Sequence, residues 1–582
     1  MVETLLVSLE SKPALDISAF VAEFVATASQ EGLSSLVNVQ VRDAMFSAIF
    51  HKLQDQFPTF SISQYKDWFQ NKLSLWLGSI NASALAAIPR NIPCRIYQII
   101  MSGLEGSFQQ MSPASHQDVY SFAKSYLSAK ASQEGGPCIE NTRGSLGWLQ
   151  TNLGSFSSLA TYRDLADMNA DFSIVDAVAG LSPEVLAAYT LAGDVLRDMD
   201  KAGKVFSSLS SRTIGDFMDA FNAAAKQRNV SQLPHGDVRQ FILGQIFCHL
   251  STAFELFSTE DYVAWFGGRL SLFLSSLNAQ NLGFLPSDMT CNSLAAIVKT
   301  LNEHKAQGPY ENPEHIYSFI KRVLHFQLQN SGCACTQGTT ADREWLLQYF
   351  GLFTAFGSYS DFATLKSNFH GHDSLDLLSA EALAQLTVQS KTIYSPSAIQ
   401  TVLEVIGNKE EPLQYLSVFL EDFNTFVLKS SDFLGSTKVR ETMLMMTAEI
   451  IFPQITDMSL EDTSTWLHRL RVLLPQVNAT VLELLPLDMP CPYYQALIAA
   501  IDGVYPVLSA RKKHDVYEFQ KAYLTAQFTD SGSACQDGTT GTKDWLQKNL
   551  GEICSVAKLS ELQTFYPDIA GVSFTSLCTE QQ

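Results

Sequence analysis

Between residues 316 and 324 the apolar positions are Ile316, Phe319, Ile320, Val323 and Leu324, with more polar residues between them. This i, i+3, i+4, i+7, i+8 spacing gathers one face of an α-helix. Val516, Phe519, Tyr523 and Leu524 repeat most of it 200 residues further on. Helix starts are also legible. "LSPEVLAAYTL" from Leu181 and "LSAEALAQLTV" from Leu378 put Ser182 and Ser379 at N-caps, Pro183 at a first helical position, and Glu184 or Glu381 in the first turn. Strand signals are scarce, and Asp537-Gly538 has no alternating run on either side. The pattern predicts an all-α chain.

A second, longer period runs through it. Arg42, Trp68, Cys94, Tyr120, Cys138 and Trp148 recur as Arg239, Trp265, Cys291, Tyr317, Cys335 and Trp345, and again as Arg440, Trp466, Cys491, Tyr517, Cys535 and Trp545. The steps are 26, 26, 26, 18 and 10 residues, with one residue deleted between Trp466 and Cys491. This divides the chain into units 1–197, 198–396 and 397–582, the last truncated at its C-terminal end. Units of about 200 residues exceed the usual solenoid repeat, so each is expected to hold several helical hairpins. The expected architecture is a right- or left-handed superhelical array of armadillo or HEAT type.

The most polar part of each unit precedes its second tryptophan: "SGSACQDGTTGTKDW" at 531–545, "SGCACTQGTTADREW" at 331–345, and the looser "ASQEGGPCIENTRGSLGW" at 131–148. Three residues before the tryptophan stands Ser145, Asp342 or Thr542. A nucleophile does not survive that exchange, whereas a helix cap does, so an N-cap is expected there. The tryptophan then pins the entering helix, with its indole N–H needing a partner.

Cys94 and Cys138, Cys291 and Cys335, and Cys491 and Cys535 are each 44 residues apart, and each first member follows a turn containing proline. Three equivalent disulfides are expected, each stabilising by about 4 kcal/mol in the chain-entropy model. Cys554 and Cys578 form a candidate fourth bridge. Cys248 and Cys333 either pair or, for Cys248, remain an inert thiol. Sequons at Asn81, Asn229 and Asn478 are candidate glycosylation sites, and Asn81 and Asn478 hold matching places where the middle unit has Asn278-Ala-Gln. Cysteine pairing and sequons together predict an extracellular route.

Composition narrows the function. The chain has 582 residues, 46% of them hydrophobic, and a net charge of −20, which opposes nucleic acid and anionic lipid as partners. The one basic run, Arg511-Lys512-Lys513-His514, reads as a solvated loop. No run of 18 apolar residues predicts a transmembrane helix. The opening "MVETLLVSLESKP" lacks the basic region of a secretory leader, so secretion implies a piece of a longer precursor.

Neither phosphate-binding loops nor hydrolase or metalloprotease motifs occur. His370, His372 and Asp373 could hold a metal but read better as a polar loop before a helix. Asp67, Asp261 and Asp462 suit helix starts, and Tyr120, Tyr317 and Tyr517 suit a core with hydroxyls at its rim. Triplication favours packing over catalysis. The residues therefore predict a non-enzymatic protein without cofactor or metal.

The phrases "PCPYYQALIAAIDGVYPVL", "DVYEFQKAYL", "GTKDWLQKNLG", "WLQTNLGSFSSLATYRDLADMNADFS" and "LSPEVLAAYTL" resemble the helical repeats of the mesothelin, stereocilin and otoancorin superfamily over most of each unit. That resemblance implies an armadillo-like ectodomain mediating attachment to mucins, to acellular gels or to neighbouring copies, with no catalytic residues to carry over. The ending "SFTSLCTEQQ" departs from the hydrophobic tail of a lipid-anchored member. The expected function is a secreted or cell-surface structural and adhesive glycoprotein whose partners are extracellular glycoproteins or its own copies, joined head to tail. The alternative is an extracellular carrier that holds a hydrophobic ligand among its 37 phenylalanines. An enzyme without recognisable motifs is the third reading.

Overall fold

The computed structural model describes residue 8 and residues 12–33, 35–132, 136–192, 194–230, 233, 235–304, 309–332, 334–336, 338–339, 341–390, 394–428, 436–532, 534–567, 569 and 571–578. Among them every regular element is helical, as the apolar spacing requires. The chain forms two compact units, Met1–Asn312 and Pro313–Gln582. Their boundary falls inside the second sequence repeat, just before the helix Pro313–Ser331, so the repeat and the compact unit are different divisions of the chain.

Within each unit, helices pack on the next but one. In the first, Pro183–Ala192 lies on Ile214–Gln227 and Met199–Ser208 on Gly236–Leu250. In the second, Ala380–Gln389 lies on Pro412–Leu428 and Pro396–Gly407 on Thr437–Ile451. Alternate helices thus form two rows, each burying its apolar stripe against its neighbours. Ile316, Phe319, Ile320, Val323 and Leu324 are all buried, as their spacing predicts. Ser182 and Ser379 accept from the N–H groups of Val185 and Ala382, the expected capping bonds.

The single deletion in the third repeat has a structural counterpart. Around the first tryptophan the helix widens into a π-turn, over Asp67–Lys72 and again over Trp265–Arg269. There Leu73 N–H donates to Trp68 C=O and Leu270 N–H to Trp265 C=O, both at 2.8 Å and five residues apart. In the third repeat Leu470 N–H donates to Trp466 C=O at 3.0 Å, four residues apart, within the regular helix Leu460–Arg469 and its cap. A π-turn is one extra residue accommodated in an α-helix. Removing it leaves the leucine on the same ledge. The cation preceding that leucine stays over the indole in all three copies: Lys72 and Arg269 at 5.0 Å, Arg469 at 5.3 Å.

Candidate functional site

The polar segments found by repetition fold into loops closed by sulfur and by an indole. Cys94 opens the helix Cys94–Gly106, and Cys138 lies in the loop after Pro113–Ala131. Their sulfurs are bonded, with the Cα atoms 5.3 Å apart, and Cys491 and Cys535 form the same bridge with Cα atoms 5.5 Å apart. Cys291 and Cys335 are each disulfide-bonded as well. Cys138, Cys335 and Cys535 have φ of 55°, 55° and 59°, a left-handed backbone that disfavours any residue with a Cβ. Three non-glycine residues hold that conformation at one repeat position.

The tryptophan that follows locks each loop. Trp148 donates to Pro137 C=O at 2.5 Å, Trp345 to Ala334 C=O at 3.1 Å and Trp545 to Ala534 C=O at 2.9 Å. Each indole reaches back 11 residues and satisfies a carbonyl beside the half-cystine. In the outer repeats a tyrosine stack backs the bridge, with ring centroids 4.3 Å apart for Tyr97–Tyr126 and 3.9 Å for Tyr494–Tyr523. Tyr126 and Tyr523 donate to Ile92 and Met489 carbonyls. Burial raises the phenols, that of Tyr126 to about 12.

Ser145, Asp342 and Thr542 are not the N-caps expected. The caps are Arg143, Ala341 and Gly541, and none makes a side-chain capping bond. Ser145 instead accepts from Ser173 N–H, and Asp342 accepts from His370 and Gly371 N–H and from Lys366. Lying inside the first turn, these side chains point to the loop 28 residues on rather than to their own helix end. Burial raises the Asp342 carboxyl, but Lys366 and the two loop amides outweigh it and hold it below the usual range. This explains "FHGHD": the backbone of His370 and Gly371 binds Asp342, and Asp373 accepts from Arg343 N–H. Among the described residues no group of three metal-ligating side chains forms.

Tyr120, Tyr317 and Tyr517 each find a carboxylate 44 residues on: Asp164 at 2.6 Å, Asp361 at 2.9 Å and Glu561 at 2.8 Å. Lys124 and Lys321 complete the first two ties. Asp164 and Asp361 also close the capping boxes of Tyr162–Met168 and Tyr359–Leu365. These carboxylates escaped notice in the sequence because an acid at the third helical position has a sufficient local role.

The expected Cys554–Cys578 bridge is not formed. Both are buried free cysteines, and they meet as hydrogen-bonded thiols where Gly571–Cys578 packs on Gly551–Val556. The bond between them pushes the Cys554 thiol up, with burial adding to the rise, and pulls the Cys578 thiol down. Cys248 is an exposed thiol, and Cys333 lies outside the described residues.

Asn81 and Asn478 cap short helices, their Oδ1 accepting from Ala84 and Val481 N–H, and Asn278 does the same toward Asn281. Asn229 is exposed at φ 54°, past the end of Ile214–Gln227, and the serine of its sequon lies outside the described residues. Asp261 and Asp462 sit in first turns as expected, but Asp67 lies mid-helix and pairs with Lys72 at 2.7 Å. The basic run Arg511–His514 is helical rather than a loop, with Lys513 3.7 Å from the centroid of the Tyr505 ring. No family model matches the chain, and no curated protein does.

Proposed function

We propose that this chain is an extracellular, disulfide-stapled repeat glycoprotein that acts by binding and assembly rather than by catalysis, with its helix rows winding into a superhelical scaffold of the mesothelin-like kind. The observation that carries the reading is the oxidised half-cystine at one left-handed loop position in all three repeats. The conserved geometry of a cross-link, repeated with its tryptophan lock, suits a stiff body outside the reducing cytosol. No helix among the described residues is long and apolar enough to cross a membrane. The phenylalanines close on one another, as in Phe50–Phe57–Phe69 and Phe217–Phe221–Phe273, which favours solid core over the carrier alternative. Extracellular glycoproteins and further copies of the chain are the partners in this reading.

Expression behind a secretory leader in animal cells tests it. The expected product is in the medium, shifts on glycosidase treatment at Asn81 and Asn478, and has six cysteines protected from alkylation until reduced. A product with alkylatable thiols at Cys94, Cys138, Cys491 and Cys535 overturns the reading.

A further inference from the structure

The helix Ala510–Ser531 packs on the short helix Ala479–Leu482 and leaves an open groove of about 500 Å³ beside it. Leu482, Leu485 and Phe519 give it an apolar floor, and Glu483, Asp515 and Glu518 stand along it. Among the described residues no lysine or arginine lines it, and His514 is its one further titratable group. Glu518 lies 3.3 Å from Lys521, whereas Glu483 and Asp515 enter no ion pair among the described residues. The neighbouring cations turn elsewhere: Lys512 donates to Pro475 C=O and to Gln476, and Lys513 lies over the Tyr505 ring.

The same groove recurs in the first repeat, between Ala82–Ala87 and Pro113–Ala131, at about 280 Å³. Leu85, Ile88, Asp118 and Phe122 there match Leu482, Leu485, Asp515 and Phe519. Its charges differ. Ala86, Arg90 and Ser121 hold the places of Glu483, Leu487 and Glu518, and Asp118 already accepts from Ala82 N–H at 2.9 Å. The middle repeat carries the clue to an occupant. Phe319 is the counterpart of Phe519, and the guanidinium of Arg322, one turn on, lies 5.6 Å from its centroid. Arg322 stands where the third repeat has Ala522 and the first has Ser125, and His315 takes the place of the aspartate. The middle copy thus has an arginine over the ring and lacks the aspartate. The third has the carboxylates, and only a methyl group where that arginine would begin.

We propose that the third-repeat groove binds the arginine side chain of a partner peptide, flanked by apolar residues. Its planar guanidinium lies against the Phe519 ring, as Arg322 does on Phe319, and its N–H groups donate to the carboxylates along the groove. The flanking apolar side chains cover Leu487, which is 44% exposed. Both walls belong to the unit Pro313–Gln582, so the site is complete within it. The groove supplies a partner chemistry for the binding role proposed above and rests on that reading only for its biological setting.

The test titrates the purified chain with a Gly-Leu-Arg-Leu-Gly peptide blocked at both ends, followed by saturation-transfer NMR. Lysine and citrulline replace the arginine in two control peptides. The arginine peptide is expected to bind with a Kd of about 1 mM or below, and the lysine peptide roughly tenfold more weakly. Citrulline keeps the shape, loses the charge and is expected not to bind. Ala522→Arg gives the third repeat the arginine of the middle one. Residue 522 is exposed and arginine is a good helix former, so this variant is expected to keep its fold and bind roughly tenfold more weakly or worse. Ser125→Arg, the same change in the first repeat, is expected to leave binding within about twofold. Glu483→Gln with Asp515→Asn is expected to bring the arginine peptide down to the citrulline level. Failure of the arginine peptide to bind, equal binding of either control peptide, or binding that survives Ala522→Arg overturns the proposal. Self-association that Ala522→Arg abolishes, without peptide binding, assigns the groove to a second copy and likewise overturns it. Arginine binding by a chain that proves not to be secreted would instead sink the functional reading and leave the groove standing.

Discussion

Tyr120 donates its hydroxyl to Asp164 at 2.6 Å across 44 residues, while Lys124 holds the other carboxylate oxygen at 2.6 Å. Burial raises this carboxyl, yet Lys124, Tyr120 and the Thr161 cap together lower it to about 2. A carboxylate with a depressed folded pKa stabilises at pH values above its unfolded pKa of about 4, and the contribution is lost as pH falls through the folded value. Asp164→Asn is therefore expected to cost about 2 kcal/mol at neutral pH. Its melting midpoint should converge on that of the parent as pH drops from about 4 to 2, the window set by those two values. A deficit that stays constant across the titration would assign the loss to packing alone.

The indole lock separates from ring volume by substitution. Trp545→Phe leaves the Ala534 carbonyl unpaired in a buried loop and should cost about 2–3 kcal/mol in chemical denaturation. Trp466→Phe, where Arg469 meets the ring face instead, should cost less. Equal losses at the two sites would argue against the carbonyl bond.

Removing a bridge tests both chain entropy and backbone preference. Cys94→Ala with Cys138→Ala should lower stability by about 4 kcal/mol, the value for a closed loop of this size. Cys94→Ala with Cys138→Gly should recover about 1 kcal/mol of that, because glycine accepts φ 55° without a Cβ penalty. Paired denaturation curves under oxidising conditions measure the difference.

The π-turn makes a prediction about deletion, ordinarily the harshest change a helix can suffer. Removing Asn71 leaves Trp-Phe-Gln-Lys-Leu, which matches Trp466-Leu-His-Arg-Leu in the third repeat. The variant is expected to fold with a regular helix there and a loss within about 1–2 kcal/mol, a typical single-substitution cost. Circular dichroism melts check this, with removal of Leu73, a buried residue, as the disruptive control.

Glycosylation and capping use different atoms of one amide, since the sugar joins Nδ2 while Oδ1 accepts the capping bond. Gln280→Thr turns Asn278-Ala-Gln into a sequon at a position with the same cap. Secreted from animal cells, this variant should gain one glycan, seen as one further glycosidase-sensitive mass step beyond those at Asn81 and Asn478.

The helices, the threefold marks and the outer cysteine pairs were legible because each rests on spacing, which a sequence displays directly. Ser145 and Asp342 misled because serine and aspartate near a helix start serve equally as caps or as acceptors for a distant loop, and only the fold brings Ser173 or His370 within reach. Cys554 and Cys578 were placed together correctly by sequence, but proximity does not decide oxidation.

The sulfur bridges also set how far the molecule can be drawn out. A segment of 44 residues would span about 150 Å if pulled straight, since an extended chain gains about 3.4 Å per residue. Bridged, the Cα atoms at its ends, here 5.3 or 5.5 Å apart, stay within about 7 Å under any load that spares covalent bonds. Each bridged segment therefore yields almost none of its contour length to a pulling force until a reductant arrives, and only the chain outside the bridges can be drawn out.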